Sequence, residues 1–237
     1  MIQEHVTEIR KNQPRVGCRK LIDHLAEQDI IVGRDQFFDL MRSWSLLVKT
    51  KRNYKRTTNS RHQLKKYKNL IKNKQVKRPN QIWVSDITYL KTQEGFCYLS
   101  LITDKYSRKI IGHHLHHSLS QEGVLKSLRM AFKQHKKTTK QLIHHSDCGI
   151  QYCSGDYIAL LKDHKVRISM TQVAHVYENA LAERVNGILK NEFLLKVTWP
   201  TIVHARRAVK QAIKVYNTQR LHNSLDNRTP EAIHNLN

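Results

Sequence analysis

Three acidic residues occupy positions from which they could cleave a nucleic-acid backbone. Asp86 lies inside the apolar run Gln81–Leu90, Asp147 ends a short run that begins at Ile143, and Glu183 falls within a helical pattern. Phosphodiester chemistry with two hard cations requires oxygen ligands, because Mg²⁺ and Mn²⁺ prefer carboxylates. One such ion activates water while the other stabilises the leaving oxygen. We therefore expect the three acids to converge on two Mg²⁺ or Mn²⁺ ions.

The elements predicted around these acids explain how they could meet. Three strands with short connections indicate an antiparallel meander, and the helix after them should return the next strand parallel to the first. A helix capped by Ser154, a last strand and two long helices complete the order. The predicted ranges are strands 82–90, 96–102, 109–117, 141–147 and 167–170, and helices 121–134, from about 155, 178–197 and 203–219. This order is that of a ribonuclease-H-like α/β fold, with a mixed five-stranded sheet and flanking helices.

The composition favours a nucleic-acid partner. Lys and Arg number 42 against 19 Asp and Glu, which gives a net charge of +23 and a pI near 10.1. Basic side chains placed near phosphates release condensed counterions, so this balance indicates a polyanionic partner. No apolar run is long enough to span a membrane, and no basic amphipathic helix has an aromatic face, so we expect no membrane association. Four scattered cysteines predict reduced thiols.

Residues before the sheet divide into two further regions. Residues 1–48 have helical spacing, with Asp35 predicted to cap a third helix, and fit either a helix-turn-helix-like DNA-binding domain or a plain helical bundle. Residues 49–80 contain no Asp or Glu and form a basic linker. We favour DNA contacts there by Lys51, Arg52, Lys55 and Arg56 over a merely solvated face. Residues 81–237 then form the catalytic core with its C-terminal helices.

The helix around Glu183 supplies a candidate DNA contact. Asn186, Gly187 and Lys190 follow Glu183 by three, four and seven residues and so share its face of the helix. The core-facing side would carry Leu181, Val185, Ile188 and Leu189. Because the chain is basic, we predict that Lys190 contacts a phosphate of a DNA end.

A structural zinc site is the main alternative around Asp147. His144, His145, Cys148 and Cys153 are close in sequence, and such clusters can bind Zn²⁺. However, successive strand residues point to opposite faces, and the sequence contains no Cys-x-x-Cys pair. The acidic residues are the preferred interpretation.

Several motifs closely resemble insertion-sequence transposases of the retroviral-integrase (DDE) superfamily, in the group whose transposase is split over two reading frames. They are Trp83-Val84-Ser85-Asp86, His145-Ser146-Asp147-x-Gly149-x-Gln151-Tyr152, Tyr177-Glu178-Asn179-Ala180-x-Ala182-Glu183, and the tail segment Tyr216-Asn217-x-x-Arg220-x-His222. Between Asp147 and Glu183 lie 35 residues (183 − 147 − 1), the interval of the family's DD(35)E pattern. Gly17-x-Arg19-Lys20 and Phe38-x-Leu40-Met41-Arg42 are similar to the family's helix-turn-helix segment.

The resemblance implies a metal-dependent enzyme that nicks and joins DNA, with Asp86, Asp147 and Glu183 as catalytic metal ligands and Arg19 among the DNA contacts. It also implies DNA ends and target DNA as partners, a homo-oligomer on DNA, and an upstream-frame DNA-binding partner. The location would be the bacterial cytoplasm, on the nucleoid. Asp104 falls in a recurring family segment and is interpreted as structural.

Some residues depart from the family pattern. Cys148 stands where Gln or Arg is common, Glu178 replaces Asp, Val173-Ala174 replace a basic residue and Gly, and Val16 replaces Tyr. No metal ligand is lost. The alternatives to an active transposase are a catalytically decayed copy that only binds DNA, and a general basic protein such as a ribosomal component.

Overall fold

A computed structural model describes residues 1–48, 63–135, 141–172 and 179–236. Within these ranges, no helix is both long and apolar enough to cross a membrane. The predicted DNA contacts Lys51, Arg52, Lys55 and Arg56 lie outside the described residues, as do the departures Val173, Ala174 and Glu178. The division into three regions therefore stays a prediction.

The sheet has the predicted mixed topology. Strands β1 (Ile82–Thr92), β2 (Gly95–Asp104) and β3 (Ile110–His116) form the antiparallel meander. Helix α4 (Gln121–Gln134) crosses over to β4 (Ile143–Ser146), which pairs parallel to β1. Helix α5 (Gly155–Asp163) leads to β5 (Arg167–Met170), parallel to β4, so the order is β3-β2-β1-β4-β5. A two-residue strand, β6 (Thr198–Trp199), adds to the far end of β1.

Both faces of the sheet are covered by helices. On one face, α4 and α5 pack over a core that includes Trp83, Leu128, Phe132 and Tyr157. Gly112 of β3 allows close approach there, because a Cβ atom would lie 2.3 Å from the Ser127 carbonyl oxygen. The other face is covered by α6 (Ala180–Asn191) and α7 (Ile202–Thr218), with a second core that includes Leu99, Leu101, Val185, Leu189 and Val209. Strand β1, central in the sheet and carrying Asp86, is thereby held from both sides.

The first three helices enclose a small core of their own. They are α1 (Ile2–Asn12), α2 (Cys18–Ala26) and α3 (Arg34–Ser43), and they bury Val6, Leu21, Leu25, Phe37 and Met41. The prediction that Asp35 caps α3 is wrong. Gly33 is the cap residue, and Asp35 lies in the first turn, where an acid is favoured by the helix dipole.

The helix that carries Glu183 ends earlier than predicted, at Asn191 instead of Val197. Leu194 adopts a left-handed backbone conformation with φ of 58°. The amides of Leu195 and Lys196 then bond back to the carbonyls of Leu189 and Lys190, each at 3.3 Å, which closes the helix. The reason is tertiary, because Phe193 and Leu195 turn inward and become buried in the core beneath α7.

The chain ends in a 3₁₀ turn (Asn223–Leu225) and α8 (Pro230–Asn235). Thr229 caps α8 by accepting a hydrogen bond from the Ala232 amide, and Pro230 occupies its first turn. All four cysteines are buried, and within the described residues none of them forms a disulfide bond.

Candidate active site

Asp86 lies in the middle of the sheet, where its neighbours on β1 fix its direction. Ile82 and Val84 point towards α6, in a cluster with Ala182, and Asp86 follows them at the two-residue period of a strand. Its carboxylate accepts a 2.9 Å hydrogen bond from the Ile87 amide and a 2.7 Å bond from the Asn186 side-chain amide of α6. Asp86 is therefore fastened to the helix that carries Glu183.

Asp147 follows β4 at the same level as Asp86. Val84 is in register with His145, so each aspartate lies two residues beyond a paired position on adjacent parallel strands. Asp147 Oδ1 accepts a 2.9 Å hydrogen bond from the Gly149 amide. A Cβ atom at position 149 would lie 2.9 Å from that same oxygen, so glycine leaves room for the carboxylate. The two aspartates thus lie on neighbouring strands and point to the α6 face.

Glu183 lies in the first turn of α6, with an exposed side chain. The start of this helix is tied to β1 by Asn179, whose buried side-chain amide donates to the Ser85 carbonyl at 3.0 Å. Lys190, two turns further on, places its ammonium 4.2 Å from the centroid of the Tyr89 ring. The face predicted from helical spacing therefore looks towards β1, although Asn186 on it is buried and not available to solvent.

Electrostatics show that the three acids are close enough to interact. Burial, the charge of Asp147 and, more weakly, that of Glu183 raise the pKa of Asp86 to about 7, against the opposing hydrogen bonds from Ile87 and Asn186. The charge of Asp86 also acts on Lys190. Burial lowers the pKa of Lys190, and the negative charge of Asp86 partly offsets that lowering. Over the described ranges, however, no three His, Cys, Asp or Glu side chains are arranged to hold a metal ion as they stand. The carboxylates of Asp86 and Asp147 are instead turned to protein donors.

A buried aromatic layer lies beneath the two aspartates. His144 Nε2 lies 2.8 Å from Ser85 Oγ and 2.9 Å from the Tyr157 hydroxyl, and burial lowers the pKa of His144 to about 3. Tyr152 is 2% exposed, and its hydroxyl has no hydrogen-bond partner among the residues that the structure describes. Burial raises the pKa of Tyr152, helped by Tyr157 and by the charges of Asp86 and Asp147. In the sequence, Tyr152 was noticeable only as part of the motif around Asp147.

The residues proposed for zinc are divided between the two faces of the sheet. His144 points to the α5 face, whereas His145 Nδ1 lies 2.8 Å from Ser169 Oγ on the other. Cys148 packs in the core beneath α5 and donates from its thiol to the Thr171 carbonyl at 3.2 Å. The side chain of Cys148, the residue that departs from the family pattern, therefore points away from the acids.

The remaining predicted residues are separate from the acids. Arg19 is exposed on α2. Asp104 is fully buried and accepts hydrogen bonds from the Asn80 amide and from the amide and hydroxyl of Ser107, all at 2.7 Å. These bonds give Asp104 the structural role expected of it.

Glu192 has a role that the sequence did not reveal. It accepts two 2.8 Å bonds from Arg220 and lies 3.4 Å from Lys20 of α2, while its carbonyl accepts from the Arg15 amide at 3.1 Å. These contacts join the three N-terminal helices to the end of α6. Lys20 and Arg220 lie 172 and 28 positions from Glu192, so spacing along the chain could not have predicted either pair.

Comparisons with known proteins agree with the fold. Residues 76–175 match an integrase core domain family, and residues 164–230 match a second family of the same description. The catalytic core of HTLV-2 integrase, solved in complex with magnesium, aligns with a TM-score of 0.53 and 22% identity over 66% of this chain and 97% of that one. A chain of the simian T-cell lymphotropic virus intasome aligns over 97% of this chain and 74% of its own, with a TM-score of 0.59 and 17% identity. The ribonuclease-H-like fold is confirmed as that of an integrase catalytic core.

Sequence relatives specify the family. A 31 kDa protein of insertion element IS600 from Shigella sonnei is 38% identical over 91% of this chain and 80% of its own length. The transposase InsF for insertion sequence IS3A from Escherichia coli is 31% identical over 96% of this chain and 79% of its own length. The chain belongs to the insertion-sequence transposases of the DDE integrase superfamily, which are polynucleotidyl transferases.

Proposed function

We propose that this chain cuts DNA at the ends of a mobile element and joins those ends to target DNA, with Asp86, Asp147 and Glu183 as its catalytic residues and metal ligands. One observation carries the assignment of residues: the Asp86 carboxylate, on the central strand, is opposed by the charges of both other acids. Three acids from distant parts of the chain are thereby brought within electrostatic range. Family membership supports the class of reaction, and the residue roles are our inference.

The three side chains fit a pair of divalent cations. All are carboxylates, the oxygen ligands that Mg²⁺ and Mn²⁺ prefer. The repulsion that raises the pKa of Asp86 is also what a bound cation would relieve. When bound, two ions would activate the attacking oxygen and stabilise the leaving one. Loading would require Asp86 and Asp147 to turn from the donors that now hold them.

The reaction has two steps of the same kind. Water first adds to a backbone phosphorus at the element's end while the bond from phosphorus to the 3′ oxygen breaks, which frees a 3′ hydroxyl. That hydroxyl then adds to a phosphorus of the target strand, and the target's own 3′ oxygen leaves. Each step breaks one phosphorus–oxygen bond and forms another.

Neighbouring residues would position the acids and the DNA. Asn186 and the Gly149 amide hold the carboxylates of Asp86 and Asp147, which limits their rotation before loading. Lys190, beside Asp86 and against the Tyr89 ring, would attract a phosphate of the DNA end. Such positioning is worth much of a catalytic barrier, since small misplacements of reacting groups cost large factors in rate.

The wider DNA interface and the partners are also part of the proposal. Arg19 on α2 and the linker residues Lys51, Arg52, Lys55 and Arg56 would contact DNA outside the active site. We infer action as a homo-oligomer on DNA, as in the intasome named above, with an upstream-frame DNA-binding partner. A protein with these partners would work in the bacterial cytoplasm, on the nucleoid.

Replacing Asp147 tests the assignment directly. Asp147→Asn keeps the size of the side chain but removes its charge, so we expect Mg²⁺-dependent cleavage of element-end DNA to fall at least about a thousandfold while DNA binding persists. The measurement is release of a labelled strand from a duplex that carries the flanking inverted repeat.

A matched control is Asp163→Asn, which makes the same charge change at an exposed site on the far end of α5. It should retain activity. Cleavage by Asp147→Asn at the control's rate would refute the assignment, and an inactive wild-type chain that still binds DNA would identify the decayed copy.

A further inference from the structure

A basic cavity lies beside the start of β1, apart from the three acids. It has a volume of about 320 Å³ and is formed where the segment before β1, the turn between β2 and β3, and the C-terminal segment meet. Its lining includes four cationic side chains, Lys74, Lys105, Arg108 and Arg228, and one acid, Asp226. Tyr106 also contributes to the lining.

The positive charge in this cavity is poorly neutralised. Through the part of the chain that the structure describes, neither Lys74 nor Lys105 forms an ion pair. Arg228 lies 3.5 Å from Asp226, but the two side chains are 50% and 90% exposed, so this pair is weak. Burial lowers the pKa of Lys105, and Arg108 lowers it further. A bound anion would relieve this repulsion.

The turn that carries two of these cations is preorganised. Asp104 organises it through Ser107, and the Arg108 amide bonds to the Asp104 carbonyl at 2.9 Å. The Arg108 carbonyl accepts from the buried Tyr216 hydroxyl at 3.2 Å, and its backbone is held at φ of 64°. The backbone that carries Lys105 and Arg108 is therefore already ordered before a ligand binds, which lowers the entropic cost of binding.

The cavity is connected to the catalytic acids by distance and by charge. The Lys105 amide bonds to the Ile82 carbonyl at 2.9 Å, and Asp86 lies four residues further along β1, about 13 Å at the rise of a strand. Arg184, next to Glu183 on α6, interacts electrostatically with Arg108. Positive charge therefore extends from the cavity to the catalytic helix. At about 3.4 Å of rise per nucleotide, 13 Å is about four nucleotides.

We propose that this cavity, centred on Lys74, Lys105 and Arg108, binds backbone phosphates of a DNA strand about four nucleotides from the bond that is cut or joined. The inference rests on the proposed function and adds a site to it. The ligand chemistry is a DNA phosphodiester, which either the element end or the target strand could supply.

The test uses the whole chain, with the double variant Lys74→Gln/Lys105→Gln. Its control, Lys133→Gln/Lys162→Gln, removes two exposed lysines from α4 and α5 on the opposite face of the sheet. Binding to a 30-base-pair duplex is measured by fluorescence anisotropy over a range of KCl concentrations, without divalent metal. A plot of log K against log salt concentration has a negative slope, and each lost phosphate contact reduces the magnitude of that slope by about 0.9.

We expect the magnitude of the slope to fall by about 1.8 in the cavity variant and to change little in the control, so that the variant's relative loss of affinity grows about sixtyfold from 1 M to 0.1 M salt. Equal slopes in the two variants would overturn the proposal. If circular dichroism shows that the double variant does not fold, the single variant Lys74→Gln replaces it, because Lys74 is exposed. This variant is expected to reduce the magnitude of the slope by about 0.9. An unchanged slope there would also overturn it.

Two activity assays identify which DNA occupies the cavity. A loss in cleavage of the element end assigns it to that end, whereas normal cleavage with reduced joining of a precut end to a plasmid assigns it to the target. Either result supports the site. A wild-type chain that binds duplex DNA but never cuts it would refute the proposed function while leaving the salt-slope test of the cavity intact.

Discussion

At Asp86 the chain places a carboxylate where burial and two neighbouring acids all oppose its ionisation. An unfolded aspartate titrates near pH 4, and the folded one near 7, so the folded chain binds this proton more tightly. Stability from this group is therefore complete below about pH 4 and is lost as the pH rises through about 7. Function, and not stability, explains why an acid stands here.

Asp86→Asn should accordingly stabilise the metal-free chain while it abolishes activity. The new amide oxygen can still accept from the Ile87 amide, and its NH₂ group can donate to the side-chain oxygen of Asn186 once that amide flips, but the side chain carries no charge. We expect the free energy of unfolding at pH 8 to rise by about 2 kcal/mol, less than the full shift implies because the Asp86 side chain is only partly buried. Urea unfolding in the presence of a chelator measures this.

The pH dependence provides the control for that prediction. At pH 4 the wild-type carboxyl is protonated, so the gain should disappear. A variant that is equally stabilised at pH 4 and pH 8, or destabilised at pH 8, would contradict the repulsion inferred at Asp86.

At the scale of elements, α6 connects two distant parts of the chain. It carries Glu183 near its start, and Glu192 caps its end with contacts to Arg220 and Lys20. Burial alone would raise the pKa of Glu192, but hydrogen bonds from Arg220 and the two nearby positive charges hold it below its ordinary value. By contrast, burial and repulsion from Arg220 lower the pKa of Lys20 to about 8, despite its pairing with Glu192. Arg220 is the stronger partner.

Glu192→Gln should therefore destabilise the chain, because it leaves the Arg220 guanidinium, 5% exposed, without its counter-charge. We expect a loss of about 2 to 4 kcal/mol at pH 7, measured by urea unfolding. The depressed pKa of Glu192 means that its contribution is present above about pH 4 and lost as the pH falls through the folded value. The gap between variant and wild type should narrow under acid conditions.

Lys20→Met is the matched comparison on the other side of the same contact. Its ammonium gains little from a carboxylate already held by Arg220, so stability should change by less than about 1 kcal/mol. A loss as large as that of Glu192→Gln would show that Lys20, and not Arg220, is the main partner.

The local sequence predicted most helices and strands correctly, but it did not predict element ends that depend on tertiary packing. The periodicity of Gln121–Gln134 gave the helix α4 with both ends correct. The end of α6 was missed, because Leu194 turns the chain without Gly or Pro, and the burial of Phe193 and Leu195 that stabilises the turn is a tertiary effect. Asn186 was placed on the correct face of α6, but its bond to Asp86 depends on a strand 100 residues away.

Over the whole molecule, charge is the dominant feature. With a net charge of +23, self-repulsion destabilises the compact state, whereas exposed ion pairs contribute little. Raising KCl from 0.05 to 0.3 M should screen this repulsion and raise Tm by about 2 to 4 °C, or about 1 kcal/mol for a chain of this length. Thermal unfolding followed by circular dichroism measures it, and an unchanged or lower Tm would contradict the expectation.

The neighbourhood of Asp86 and Asp147 was predictable at this scale from the order of elements, whereas the catalytic role of the three acids stays a proposal. Asp86 and Asp147 follow from a crossover that places β4 beside β1, and the 35-residue interval adds Glu183. The basic cavity was not predictable, since Lys74, Lys105 and Arg228 come from three segments whose meeting no local pattern indicates.

The contact between Glu192 and the N-terminal helices has a mechanical consequence. Glu183 and Glu192 are nine residues apart, about 14 Å along a helix that is stiff along its axis. The contacts of Glu192 with Arg220 and Lys20 therefore fix one end of α6, and through its stiffness they help to fix the position of Glu183 at the other.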